Sequence, residues 1–401
     1  MREHRLEVAD VFRQHGEAFL KRWGHTLSPQ QRRALRDIGA CRTAALGGHV
    51  EQCDDCRHQV IAYNSCRNRH CPKCQSTARD HWLAGRAREL LPVPYCHVTF
   101  TVPAPLKPLT LQNQQLMYGL LFRAVSQTLL EIAADPRRLG AQIGFLAVLH
   151  TWSQNLLHHP HIHCVVPAGG IAPDGSRWIP CRPKFFLPVE VLSQMFRGKF
   201  LALLRDAFAD GKLQFHGQLI PLRQSIRFHA WLRELKSIKW VVHAKPPFGE
   251  AGHVLQYLAR YTHRVAISNG RLLRLENGQV TFRWRDSKDS NQIKAMTLDA
   301  TEFIRRFLLH ILPSGFVKIR HFGFLSNRRR SAALALCRQR LPLPAADSNA
   351  APLLSDQQQS AIKRRCPVCR RGTLHITRWL SAGQLLIHVG DNRPTYQIDS
   401  S

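Results

Sequence analysis

The chain has 401 residues, with 57 Lys and Arg against 27 Asp and Glu, for a formal net charge of +30. A hydrophobic share of 44% supplies a packed core and excludes a disordered basic tail, and the length suits two or three domains. No run reaches the ~18–20 apolar residues of a membrane helix, and Met1-Arg2-Glu3-His4-Arg5 leads into no apolar stretch, so no span, no signal peptide and a cytoplasmic location are expected. A cationic field of this size attracts a polyanion, and nucleic acid is the expected partner. In a cytoplasmic chain, 12 cysteines point to metal sites rather than disulfides.

Residues 4–45 read as two helices. Ser28-Pro29-Gln30-Gln31 starts the second, with Ser at the cap, Pro at the first helical position and Gln at the third. Residues 41–75 lack periodicity and read as metal-nucleated loops, followed by a helix over 75–91. Alternation over Tyr95–Val102 predicts a strand, and 111–134 predicts a long helix. Phe145–His150 and His161–Val166 read as a hairpin-like strand pair. Helices are expected over 188–209 and 222–235, a strand over 238–243 and a helix over 251–263. Short strands over 265–268, 271–276 and 279–285 precede a helix over 298–312. Strands and helices mix without βαβ alternation, which predicts an α+β fold with a mainly antiparallel sheet. Residues 341–360 read as a linker, giving three parts: 1–91, 92–340 and a small basic piece within 341–401.

Cys53-x-x-Cys56 and Cys71-x-x-Cys74 are two knuckles expected to meet at one tetrahedral zinc. Cys41, His49, Cys66 and His70 lie in the same stretch and suffice for a second zinc, although spacing does not fix the pairing. A four-thiolate site is closed, so it holds a fold and does no chemistry. Arg67, Arg69, Lys73 and Arg79 surround it and are expected to meet phosphate. A last pair, Cys366-Pro367-Val368-Cys369, has no evident second pair. Cys337 and His375 are its candidate partners, and a degenerate zinc ribbon is the alternative to a working site.

On a strand His161 and His163 face one side, while Ile162, Cys164 and Val166 face the other. Two imidazoles side by side make half of a metal site; the plainer alternative is two surface histidines among 22. Tyr257 and Tyr261 are four apart and share one helix face, which alone reads as a core pair. Together the two motifs say more. A tyrosine oxygen near its ordinary pKa of ~10 is a poor nucleophile. A divalent cation on the histidines can polarise a phosphate for it.

Five segments in this order carry a family resemblance: Ala45–His49, Ser65–Cys74, His158–Cys164, Tyr257–Arg264 and Arg320–Leu325. The chain resembles, over most of its length, the HUH two-tyrosine transposases of rolling-circle insertion sequences, those with an N-terminal zinc-binding domain. The resemblance places the family's histidines on His161 and His163 and its tyrosines on Tyr257 and Tyr261, with no acidic trio. A third polar metal ligand is expected among Gln154, Asn155, His150 and His253. The implied fold is an N-terminal helical zinc-binding domain (1–91) followed by an HUH-type domain (92–340) whose central antiparallel sheet is flanked by helices. The implied cofactors are structural Zn²⁺ and catalytic Mg²⁺ or Mn²⁺, with no nucleotide. The implied reaction is single-strand DNA cleavage and strand transfer through a 5′-phosphotyrosine, on element ends and target DNA, near the nucleoid and with host replication proteins as further partners. Arg260 and Arg264 would neutralise phosphate, and Trp152, Trp284 and Phe282 would stack on bases or fill the core. The competing readings are an HUH replication initiator or relaxase, and a non-catalytic zinc DNA-binding protein.

Overall fold

The computed structural model describes residues 5–183, 186–248, 254, 265–286, 289–341 and 365–385. In chain order the elements are α1 (Val8–Trp23), α2 (Pro29–Gly39), β1 (Gly48–Cys53), β2 (Gln59–Tyr63), α3 (Pro72–Ala87), β3 (Tyr95–Thr101), α4 (Lys107–Gln112), α5 (Gln114–Ala134), β4 (Gly144–Trp152), β5 (His158–Pro167), β6 (Gly169–Ile171), β7 (Trp178–Pro180), α6 (Val189–Ala209), α7 (Ser225–Ser237), β8 (Val242–Phe248), β9 (Leu272–Glu276), β10 (Gln279–Asp286), β11 (Gln292–Asp299), α8 (Ala300–Leu308), β12 (Ile319–Gly323), α9 (Arg330–Arg340) and β13 (Leu374–Leu380). The fold is α+β, and every strand pair is antiparallel.

Neither of the two compact units is a single stretch of chain. One takes Met1–His81, His263–Ile311 and Ala346–Ser401; the other takes Trp82–Thr262 and Leu312–Ala345. The linear division at 91 and 340 therefore does not follow the units. The reason lies in α8, whose Phe303, Ile304, Phe307 and Leu308 are all buried. Phe307 meets Phe12 of α1 edge-on at 5.2 Å, and Phe303 meets Phe282 of β10 at 5.9 Å. Polar ties add to this: Gln31 donates to the Leu308 carbonyl (2.9 Å), and the Val8 N–H donates to Asn269 (3.1 Å). Helix α2 starts as its sequence predicts, with Ser28 and Gln31 forming a reciprocal capping box.

The same unit holds a three-stranded sheet in the order β13-β1-β2. Its register runs from Gly48 opposite Leu380 to Cys53 opposite Leu374. The C-terminal piece, expected to stand apart, is thus a strand of the N-terminal sheet. A second sheet, β11-β10-β9, includes β11, for which the sequence reading has no strand.

The other unit is built on a five-stranded sheet in the order β12-β4-β5-β3-β8. Period-two alternation sends Val98, Phe100, Phe145, Ala147, Leu149, Ile162, Cys164 and Val166 into one core. Helices α5 and α6 cover that face with Leu121, Phe122, Val125, Phe196 and Phe200. The helix expected over 111–134 is broken at Asn113. That side chain accepts from the Gln214 N–H (2.8 Å) and donates to the Gln214 carbonyl (2.8 Å), replacing helix continuity with a tie to a distant loop. The strand expected over 238–243 starts only at Val242, because Trp240 is buried in the core, 5.3 Å from both Phe196 and Phe200. Residues 265–268 form no strand, and the helix expected over 251–263 lies outside the described residues except for Val254, which is helical.

Candidate active site and cysteine clusters

The second face of the five-stranded sheet carries the histidines. His150 of β4 lies directly opposite His161 of β5, and His163 follows on the same side. Ring centroids are 5.5 Å apart for His150 and His161, 4.5 Å for His150 and His163, and 4.8 Å for His161 and His163. One ligand nitrogen from each lies within 4.8 Å of the other two. His150 was one of four candidates for a third ligand, and the register places it in the group. Asn155, another candidate, has its Oδ1 engaged by Ser153 and the Leu157 N–H in the β4–β5 turn. His253 lies outside the described residues.

His161 and His163 each have a polar partner in the sheet. The His161 Nδ1–H donates to the His159 carbonyl at 2.7 Å, which leaves Nε2 as the lone-pair nitrogen. His163 Nδ1 is 2.8 Å from Nε2 of His97, and Thr99 Oγ1 lies 3.2 Å from both nitrogens. Burial pushes His161 down to about 4. Burial, aided by Lys245, His243 and His161, pushes His97 down to about 3. His161 and His97 are therefore neutral near pH 7, the state in which imidazole ligates a metal. His97 and Thr99 are absent from the sequence reading, although the alternation of Tyr95–Val102 already sets them opposite Val98 and Phe100.

Beside the histidines the same face carries an apolar cluster. Tyr95, Leu146, Val148 and Val165 form a buried cluster that also contains Val254. Tyr257, Tyr261, Arg260 and Arg264 lie outside the described residues. Of the stacking candidates, Phe282 is fully buried against Phe303 and belongs to a core, whereas Trp152 stacks on His150 at 4.6 Å.

The cysteines gather into two groups, and their pairing differs from the expected one. Cys41, Cys66, Cys71 and Cys74 form one; Cys53, Cys56, Cys366 and Cys369 form the other. The two N-terminal knuckles thus do not share a site: Cys71 and Cys74 take Cys41 and Cys66, and Cys53 and Cys56 take the C-terminal pair. The physical reason is the β1–β13 pairing, which brings Cys53 beside Leu374. His49 and His70 belong to neither group. His49 contacts Glu51 at 3.3 Å and Trp379 at 4.9 Å, and the His70 N–H donates to Asn68. Cys337, offered as a partner for Cys366 and Cys369, is instead buried among Leu91, Ile171, Trp178 and Leu334. His375 bonds Asp54 at 3.2 Å.

In the first group Sγ–Sγ distances of 3.6 Å (Cys41–Cys74 and Cys66–Cys74) match the edge of about 3.8 Å that a tetrahedron with ~2.3 Å Zn–S bonds requires. Hydrogen bonds from Cys41, Cys66 and Cys71 hold the Cys74 thiol far below the ordinary range, as expected of one thiolate among three donors. Nearby, Arg67 is exposed, whereas Lys73 is 2.7 Å from Glu7 in a largely buried ion pair. Burial also lowers the pKa of Arg69. Of the four cations expected to meet phosphate here, Arg67 is exposed and Arg69 and Lys73 are half-buried, while the Arg79 side chain lies outside the described residues.

Comparison with known proteins bears on both regions. Residues 144–332, which include β4, β5 and β12, match a family described as "Putative transposase", and residues 11–102 match the "Transposase zinc-binding domain". The chain is 55% identical over 375 residues to "Putative transposase y4qJ" of Sinorhizobium fredii, covering 92% of this chain and 94% of that protein. It is 29% identical over 334 residues to "Transposase for insertion sequence element IS801" of Pseudomonas savastanoi pv. phaseolicola, covering 80% and 76%. No solved structure gives a significant match. Among the described residues no helix is long and apolar enough to cross a membrane. A zinc-binding module ahead of a histidine-bearing antiparallel sheet, matched along nearly the whole length of a transposase, leads to one conclusion: the chain belongs to the HUH two-tyrosine transposases of insertion sequences that carry an N-terminal transposase zinc-binding domain.

Proposed function

We propose that this transposase cuts and transfers single-stranded DNA of a rolling-circle-type insertion sequence through a 5′-phosphotyrosine intermediate, at a divalent-cation site formed by His150, His161 and His163. The observation that carries the reading is Val254. It is helical, fully buried, and packed against Tyr95, Leu146, Val148 and Val165 on the histidine face. Tyr257 and Tyr261 follow it by three and seven residues, the spacing of one helical face.

The donor set fits a divalent cation: three converging imidazoles, one with its tautomer set by a carbonyl. Nitrogen donors without a carboxylate favour a transition metal over Mg²⁺, so Mn²⁺ is the better of the two expected ions. Such an ion supplies Lewis acidity at the scissile phosphate. The chain supplies the rest. His159, His97 and Thr99 hold the rings. A tyrosine oxygen forms a bond to phosphorus while the bond to the 3′ oxygen breaks. That oxygen takes up a proton and leaves as the 3′ hydroxyl, and the 5′ phosphate stays on the tyrosine. The phosphodiester energy is conserved, so resealing needs no nucleotide. The second tyrosine accepts a strand in the target step. Arg67, Arg260 and Arg264 contact phosphate, and Cys41, Cys66, Cys71 and Cys74 hold the zinc of the N-terminal domain.

The test uses the full chain, Mn²⁺ and single-stranded oligonucleotides tiling the DNA that flanks its gene. The expected product is a denaturant-resistant protein–DNA adduct, mapped by mass spectrometry to Tyr257 or Tyr261 and lost in the Tyr257→Phe/Tyr261→Phe variant. An adduct on another residue, or nicking by plain hydrolysis, would overturn the proposal.

A further inference from the structure

We propose that Cys53, Cys56, Cys366 and Cys369 bind a second structural zinc, which clamps the C-terminal segment to the N-terminal sheet. The family match to the zinc-binding domain ends at residue 102, so it does not reach Cys366 or Cys369. The geometry is that of a tetrahedral thiolate site. Cys53 Sγ is 3.7 Å from Cys369 Sγ, and Cys56 Sγ is 3.6 Å from Cys366 Sγ. Both match the tetrahedral edge of about 3.8 Å set by ~2.3 Å Zn–S bonds, and both are far beyond the ~2.0 Å of a disulfide.

The two halves are also built alike. Each pair is spaced C-x-x-C, and each is followed by an arginine in the left-handed region, Arg57 at φ 61° and Arg370 at φ 59°. Each first cysteine closes its loop through its own N–H: Cys53 to the His58 carbonyl (2.9 Å) and Cys366 to the Gly372 carbonyl (2.8 Å). Left-handed backbone at a non-glycine residue is unfavourable and persists where the surroundings over-determine it; a bound ion does so at both loops at once. Gly372 permits the approach. A Cβ there would sit 2.4 Å from Cys53 Sγ and 2.7 Å from Asp54 Oδ1. The Gly372 N–H points at Cys369 Sγ (3.4 Å), a donor suited to a thiolate. Around the centre, Asp54 accepts from the Thr373 N–H (2.8 Å) and pairs with His375, and Arg371 pairs with Asp55 at 3.4 Å.

Elemental analysis of the purified full chain should find two zinc ions. Alkylation followed by mass spectrometry should find Cys53, Cys56, Cys366 and Cys369 protected until a strong chelator is added. The Cys366→Ser/Cys369→Ser variant should hold one zinc, with Cys53 and Cys56 newly reactive and Cys41, Cys66, Cys71 and Cys74 still protected. One zinc in the unmodified protein would overturn the proposal, as would chelator-independent alkylation of Cys366 and Cys369. A variant that keeps the full zinc content of the unmodified chain would do the same. If the variant does not fold, labelling of the unmodified chain decides.

Discussion

Replacing His97 by Phe keeps a ring of similar volume at a buried position and removes the nitrogen that sits 2.8 Å from His163 Nδ1. Loss of an outer-shell partner of a metal-binding histidine costs about 10- to 100-fold in metal affinity, or roughly 1.4–2.7 kcal/mol. An independent route gives a similar size, since a buried polar group left without its partner costs about 1–3 kcal/mol. Thr99 Oγ1, 3.2 Å from the same nitrogen, offers a substitute bond. The single variant should therefore fall near tenfold, and His97→Phe/Thr99→Val nearer a hundredfold. Calorimetric titration of Mn²⁺ into metal-free protein measures this directly, and circular dichroism melts without metal check the fold. Nicking should show a raised Mn²⁺ requirement with a nearly unchanged rate at saturation, the mark of a residue that positions a ligand. A folded His97→Phe protein that binds Mn²⁺ with unchanged affinity would refute the reasoning.

Other outcomes follow from features elsewhere. Burial first, then Arg330 and Arg86, pushes His321 down to about 4 from 6.5. The unfolded chain takes the proton first, so the contribution to stability is present above pH 6.5 and is lost as pH falls towards 4. His321→Gln should flatten the pH dependence of the urea midpoint in that window, and an unchanged slope would count against it. Phe100, fully buried between sheet and α6 and 5.1 Å from Phe196, should cost about 3–5 kcal/mol when changed to Ala; a loss under 1 kcal/mol in denaturant unfolding would contradict the core assignment. Asn113→Ala removes both bonds to Gln214 and should cost about 1–3 kcal/mol, with increased hydrogen exchange at the Gln214 N–H as the specific sign.

The sequence carried the histidine sheet well because alternation is a local signal. The hairpin of β4 and β5, and the common face of His161 and His163, follow from side-chain period alone. His150 entered only as one of several candidates, because its place depends on the strand register, which a two-residue period does not fix. His97 needed both the alternation of β3 and its pairing with β5. The cysteine pairing was less legible still. Short spacing favoured joining Cys53-x-x-Cys56 to Cys71-x-x-Cys74, since loop closure is cheapest between near neighbours, yet a strand more than 300 residues away won. Strand β1 went unseen because Gly, His and Cys break up the apolar alternation there, and β2 because it is only five residues long with apolar residues in succession rather than in alternation. Strand β11 was hidden by exposure on much of its length, which weakens the contrast between its faces.

The pairing of β1 with β13 has a consequence for how the protein is made. At about 5–20 residues per second, the roughly 310 residues between Cys56 and Cys366 take about 15–60 s to synthesise. Through that interval β1 is a strand with one edge unsatisfied and two thiols without their partners. The Cys41, Cys66, Cys71 and Cys74 group, by contrast, is complete once residue 74 has emerged. The unit begun first is therefore finished last, after the intervening histidine-bearing sheet has had time to form. A ribosome that stalls late would release a chain with its histidine sheet assembled and an open β-edge at its other unit, a species prone to pair with other chains.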